Sequence, residues 1–162
     1  MLDVSQMTAR LIVALLLGAV MGVERGLVGK EAGVRTSMLV SGGAAIFSMI
    51  GLALPYLTAH GNIPDVVAGS TFMNVIANIV VGVGFLGAGI ILKTQERVHG
   101  LTTAAAVWAT AAVGVLVGIG LTSFAVVATI LMAALLYFLR KLDVAALLKR
   151  EGQREFGPEA KE

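Results

Sequence analysis

The chain has no cysteine, and only 14% of its 162 residues are charged. The first absence excludes disulfides, thiolate metal sites and a cysteine nucleophile. The second sets the chain apart from soluble domains, where about a quarter of residues are charged. No zinc-ligand spacing and no Ser/His/Asp set is present, and the two histidines, His60 and His99, fall on opposite sides of the apolar segments. Gly82-x-Gly84-x-x-Gly87 fits a dinucleotide-binding pattern, but no soluble strand precedes it and no Walker pattern occurs. Neither catalysis nor a cofactor or metal is expected. The net charge of +2 is not that of a nucleic-acid binder. No Asp, Glu or His lies near the middle of an apolar segment: Asp3, Glu24, Asp65, Glu96 and Asp143 all sit at edges. Proton relays place such groups at the midplane, so that class is disfavoured. A channel lined by carbonyls and hydroxyls is disfavoured less.

What is present is hydrophobic: 57% of the residues, with a mean hydropathy of +0.92. Five segments reach membrane-spanning length, at about 7–23, 38–57, 71–92, 101–119 and 122–139. The fold class is therefore all-α, a polytopic bundle of five transmembrane helices in a lipid bilayer. The first segment lacks a cleavage site and is followed, not preceded, by positive charge, so it reads as a retained helix. Arg25, Lys30 and Arg35 follow the first span, Lys93 and Arg97 the third, and Arg140, Lys141, Lys149 and Arg150 the fifth; the other side holds only Arg10. This bias places the N-terminus outside and the C-terminus in the cytoplasm. Residues 1–140 form the membrane domain. Residues 141–162 form a short basic juxtamembrane helix along the inner leaflet and a disordered tail.

Small and polar residues recur at steps of three or four, which keeps each set on one helix face. Helix one has Ala14, Gly18, Gly22 and Arg25; helix two has Ser37, Ser41, Ala45 and Ser48. Helix three has Thr71, Asn74, Asn78, Gly82 and Gly89; helix four has Thr103, Ala106, Thr110, Gly114 and Gly118. These stripes are expected to face one another and let the helices approach closely. The dense run Gly82, Gly84, Gly87 and Gly89 serves either helix packing or a break in the helix. Asn74 and Asn78 need partners in a low dielectric, supplied by an interhelical hydrogen bond or by an outward-facing polar cavity that includes Thr110. The loop from Gly22 to Thr36 crowds charge and glycine together. Glu24 is expected to pair with Arg35 or Lys30, and the loop either anchors to the inner leaflet or binds a partner or an anion. Thr102 and Thr103 are expected to cap helix four, and Trp108 to pack inside the bundle.

Two ordered motifs then carry a family resemblance. Glu24-Arg25, Gly29-Lys30, Ala32-Gly33-Val34-Arg35-Thr36, Leu39-Val40 and Ala44-Ala45-Ile46-Phe47 resemble the first signature of the MgtC/SapB family. Val83 to Gly89, and Val98-x-Gly100-Leu101-Thr102-Thr103-Ala104-Ala105 with Trp108, Ala111, Ala112 and Gly114, resemble its second. The resemblance runs from about Gly18 to Gly120, most of the chain. It implies a bacterial inner-membrane protein linked to Mg²⁺ limitation, acid stress and survival inside host cells. It also implies restraint of the F-type ATP synthase as one partner, with Mg²⁺ transport as another proposed role. The residues it marks are Glu24, Arg25, Lys30, Arg35, Thr36, Gly84, Gly87, Gly89, Gly100, Thr102, Thr103 and Trp108. The chain departs from the family pattern at Asn74, where an Arg is usual, at Asn78 (Gln), Val81 (Ser) and Ser37 (His). The soluble C-terminal domain of many members is expected to be absent.

Two functions follow. A non-enzymatic regulator would act through protein contacts, with Glu24, Arg25, Lys30 and Arg35 mattering most. A channel or carrier for Mg²⁺ or a small solute would depend on Asn74, Asn78 and Thr110. Small-residue faces would also support a homo-oligomer, with helix five peripheral.

Overall fold

Without water to bond to, an apolar chain satisfies its peptide groups only as a helix or a closed barrel. In the computed structural model, which describes residues 3–27, 29–58, 65–93 and 98–142, helices dominate. They are α1 (Val4–Leu27), α2 (Val34–Thr58), α3 (Asp65–Ile90), α4 (Leu101–Gly118) and α5 (Thr122–Leu142). All five are long and apolar enough to cross a membrane. Between α3 and α4 lies a two-residue antiparallel ladder, β1 (Leu92–Lys93) and β2 (Val98–His99), with Leu92 opposite His99. The helical expectation thus holds with this small addition. The loop His60–Pro64, Glu96, Arg97 and the tail beyond Leu142 lie outside the described residues. The juxtamembrane helix and disordered tail expected there therefore have no structural counterpart to weigh.

The core is built by α1, α2 and α4. Ala14, Gly18, Gly22 and Arg25 of α1 are buried, as are Ser37, Ser41, Ala45 and Ser48 of α2. Thr103, Thr110, Gly114 and Gly118 of α4 complete it. A Cβ on Gly18 would lie 2.6 Å from the Ser37 carbonyl oxygen, and one on Gly22 2.6 Å from the Val34 Cα. A Cβ on Gly114 would strike the Ser41 carbonyl. These helices touch backbone to backbone, as the stripes require. Around the contacts cluster Ala14, Ala45, Val113, Val117 and Ala125, and separately Ala32, Ala44, Val83, Val107 and Ala111. Helix α5 lies at the periphery, against α1 and α4.

The α3 stripe behaves differently. The helix is continuous through Gly82–Gly89, so these glycines do not break it. Nothing lies within 4 Å of a Cβ placed on Gly82, Gly84 or Gly89; only Gly87 meets a neighbour, the Ala104 Cβ at 3.6 Å. Asn74 and Asn78 are exposed as well. The stripe expected to pack on the other three does not do so: Asn74 and Gly89 are exposed, and Asn78 and Gly82 only line an open groove beside α2. Trp108 is also 52% exposed, on the outer side of α4, not packed inside. Among the described residues the outer surface carries many bare Leu, Ile, Val and Phe side chains, the surface a bilayer covers.

Candidate functional site

At one end of the bundle the last turn of α1 meets the first turn of α4. Helix α1 closes at Gly29, whose φ of +68 lets the Lys30 N–H reach the Arg25 carbonyl at 3.0 Å and the Gly29 N–H the Gly26 carbonyl at 3.2 Å. Arg25 points inward from this turn and is only 5% exposed. Its Nη2 donates a hydrogen bond to the Thr103 Oγ1 of α4. Among the described residues Thr103 is the only hydrogen-bond partner of the Arg25 side chain, and Nε is buried without one.

Thr102 and Thr103 do not cap α4, contrary to expectation. The N-cap is Gly100, in the left-handed region at φ +86, and no side chain bonds to the first-turn amides. Glycine is required there twice over, because a Cβ would collide with the Ile90 carbonyl as well as strain the backbone. The Ala104 N–H makes the first bond of the helix, to the Gly100 carbonyl at 2.8 Å. The preceding amides carry the partial positive charge of the α4 dipole.

Glu24 is also redirected. It does not pair with Arg35 or Lys30, both of which are exposed; its Oε1 lies 4.0 Å from Arg140 Nη1 of α5. The other oxygen, Oε2, is buried without a hydrogen-bond partner. Thr36 is exposed. The structure therefore gathers Glu24, Arg25, Gly100, Thr102 and Thr103 at one end of the bundle. Arg140 joins them, a residue that the sequence singles out only by its charge near the inner leaflet. Its signal was its place in the last turn of a helix parallel to α1.

Asn74, Asn78 and Thr110 do not share a cavity. Thr110 is buried, and its hydroxyl donates to the Ala106 carbonyl of its own helix at 2.8 Å. The Asn78 Nδ2 donates to the Asn74 carbonyl at 2.9 Å. Asn78 lines a groove of about 600 Å³ between α2 and α3, with Leu39, Gly43, Phe47, Ile79 and Gly82. Neither Asn74 nor Thr110 borders it. At the opposite end of the bundle, Arg10 Nη1 donates to the Gly118 carbonyl at 2.7 Å and closes the C-terminus of α4. As the single basic residue on its side, Arg10 was the sequence's clue to this contact.

A family model described as the MgtC family matches residues 11–145. Protein SrpB of Synechococcus elongatus is 38% identical over 160 residues, covering 94% of this chain and 85% of SrpB. Protein MgtC of Brucella abortus is 46% identical over 129 residues, covering 80% of this chain and 49% of that protein. Protein MgtC of Salmonella typhimurium is 40% identical over 131 residues, covering 81% and 51%. The chain thus spans about half the length of these MgtC relatives. No solved structure matches.

Proposed function

The chain belongs to the MgtC family of membrane proteins, and from that premise we propose that it is a non-enzymatic regulator in the bacterial inner membrane. It modulates a membrane-protein partner under Mg²⁺ limitation and related stress, and the family resemblance makes the F-type ATP synthase the first partner to test. Residues 1–140 act as the membrane domain, with the Arg25 end toward the cytoplasm and the N-terminus outside. Lys30 in the α1–α2 loop and Arg35 and Thr36 in the first turn of α2 are exposed on that side and are open to contact.

The observation that carries this reading is the open face of α3. Gly82, Gly84 and Gly89 meet nothing within the chain, and Asn74 and Asn78 lie exposed on the same helix. Small residues promote association in a bilayer only when another helix lies against them. Carboxamides in hydrocarbon gain from an external partner. A transport path between α2, α3 and α4 is less well supported, since neither Asn74 nor Thr110 borders the groove between α2 and α3.

A photo-crosslinking residue at Val81, beside Gly82 on α3, tests the proposal in cells. The expected product is an adduct with a membrane-sector subunit of the ATP synthase, absent from a probe at Ile130 on α5 and lost in the Asn74→Leu/Asn78→Leu double variant. No such adduct, together with Mg²⁺ flux into sealed proteoliposomes that the double variant abolishes, would replace the regulator with a transporter.

A further inference from the structure

We propose that the end of the bundle where Arg25 meets the first turn of α4 is a binding site for a phosphate group, supplied by a lipid headgroup or by free phosphate. Arg25 is 95% removed from solvent, at 5% exposure. A guanidinium has five N–H donors, yet this one finds a single neutral partner in Thr103, and its Nε is buried and unmatched. Among the described residues no carboxylate lies within 4.0 Å of it; the one ion pair found joins Glu24 to Arg140. A buried charge without a counter-ion is costly, and proteins as a rule pair it.

The surroundings favour an anion. The partner hydroxyl belongs to Thr103, in the first turn of α4. That turn has its free amides uncapped because Gly100, forced by the Ile90 carbonyl, brings no side chain to them. Amides at a helix N-terminus and a buried Arg donor together supply the donors that bind phosphate oxygens. The exposed Lys30 and Arg35 stand at the same end and raise the local concentration of anions. Glu24 and Glu31 are the described acids at this end; neither forms an ion pair with Arg25, and Glu24 has Arg140 at 4.0 Å.

The test uses the full chain, delipidated in an uncharged maltoside detergent. Thermal unfolding is followed while inorganic phosphate is titrated against sodium chloride at matched ionic strength. A parallel series adds phosphatidylglycerol or, as the phosphate-free control, diacylglycerol. Saturation is expected to raise Tm by about 5 °C. A response to phosphatidylglycerol alone assigns the phosphate to lipid; a response to both admits the free ion. Arg25→Leu removes the response. Should that variant not fold, Arg25→Lys keeps the charge without the planar fork and Thr103→Val removes the hydroxyl. Each is expected to raise the half-saturating concentration about tenfold. Three results overturn the site: chloride matching phosphate, no response to either source, or identical titrations for wild type, Arg25→Lys and Thr103→Val. A loss of stability in Glu24→Gln, with no phosphate response in the wild type, would identify Glu24 as the counter-ion instead.

Discussion

Helices α3 and α4 are similarly apolar and meet opposite surroundings. Their spans have mean hydropathies of 1.9 and 1.7, yet half of the α4 span is buried against 11% of the α3 span. Both are studded with glycine. On α4, Gly114 and Gly118 press against the backbone of α2; on α3, Gly82, Gly84 and Gly89 press against nothing in the chain. Hydropathy cannot make this difference, because lipid is as apolar as a helix surface and burying Leu in a bilayer gains little. Steric fit makes it. Helix α4 packs on all four other helices, whereas α3 rests mainly on α2 and α4. The glycines of α4 are used in holding the fold, and those of α3 other than Gly87 remain for a surface the fold leaves uncovered.

The largest effect separates the two faces directly. Gly114→Leu drives a side chain into the Ser41 carbonyl of α2. A backbone atom cannot rotate away, so the variant should lose more than about 3 kcal/mol and the folded peak in size-exclusion chromatography. Gly84→Leu places the same side chain in open space and should change stability by no more than about 0.5 kcal/mol, while removing partner adducts. Equal damage from both would mean that α3 is packed after all, and the comparison would fail. A smaller effect is expected at Gly100, where α3 and α4 meet through the Ile90 carbonyl. Gly100→Ala carries the strain of φ +86 and a collision, and should cost about 2 kcal/mol, read as a Tm drop of about 4–8 °C. A wild-type Tm in this variant would show that the Ile90–Gly100 contact is loose and that α3 docks less firmly than the structure indicates.

The buried stripes of α1, α2 and α4 were legible in the sequence because small residues at steps of three or four define a face without reference to any neighbour. Which faces meet was not legible, since the α3 stripe obeys the same spacing. Arg25 and Thr103 each stood out singly. Their hydrogen bond depends on α1 lying beside α4, an adjacency that periodicity does not encode. Glu24 was expected to find a basic residue in its own loop and finds Arg140, because the ends of α1 and α5 come together across the bundle. The threonines following Gly100 looked like caps by type. The cap position falls one residue earlier than Leu101, on a glycine fixed by the approach of Ile90.

The smallest expected effect lies outside both faces and sets the floor for judging Gly84→Leu. Asp3 precedes α1, is exposed, and accepts hydrogen bonds from the Ser5 hydroxyl at 2.7 Å and the Val4 N–H at 2.8 Å. The Ser5 hydroxyl first, and then the Val4 amide, hold its carboxyl below the ordinary range, against a weak opposing desolvation. A folded pKa below the unfolded one means the stabilisation is complete above about pH 4 and fades as pH falls through the folded value. The Tm gap between wild type and Asp3→Ala should therefore be small at neutral pH and close on acidification, while Asp3→Asn, which keeps a capping oxygen without a charge, should show no such closure. A gap that stays constant with pH would remove the ionised cap from the account. If Gly84→Leu shifts Tm by no more than Asp3→Ala does, the α3 face plays no part in holding the isolated chain together, and its glycines are free to serve contacts with another protein.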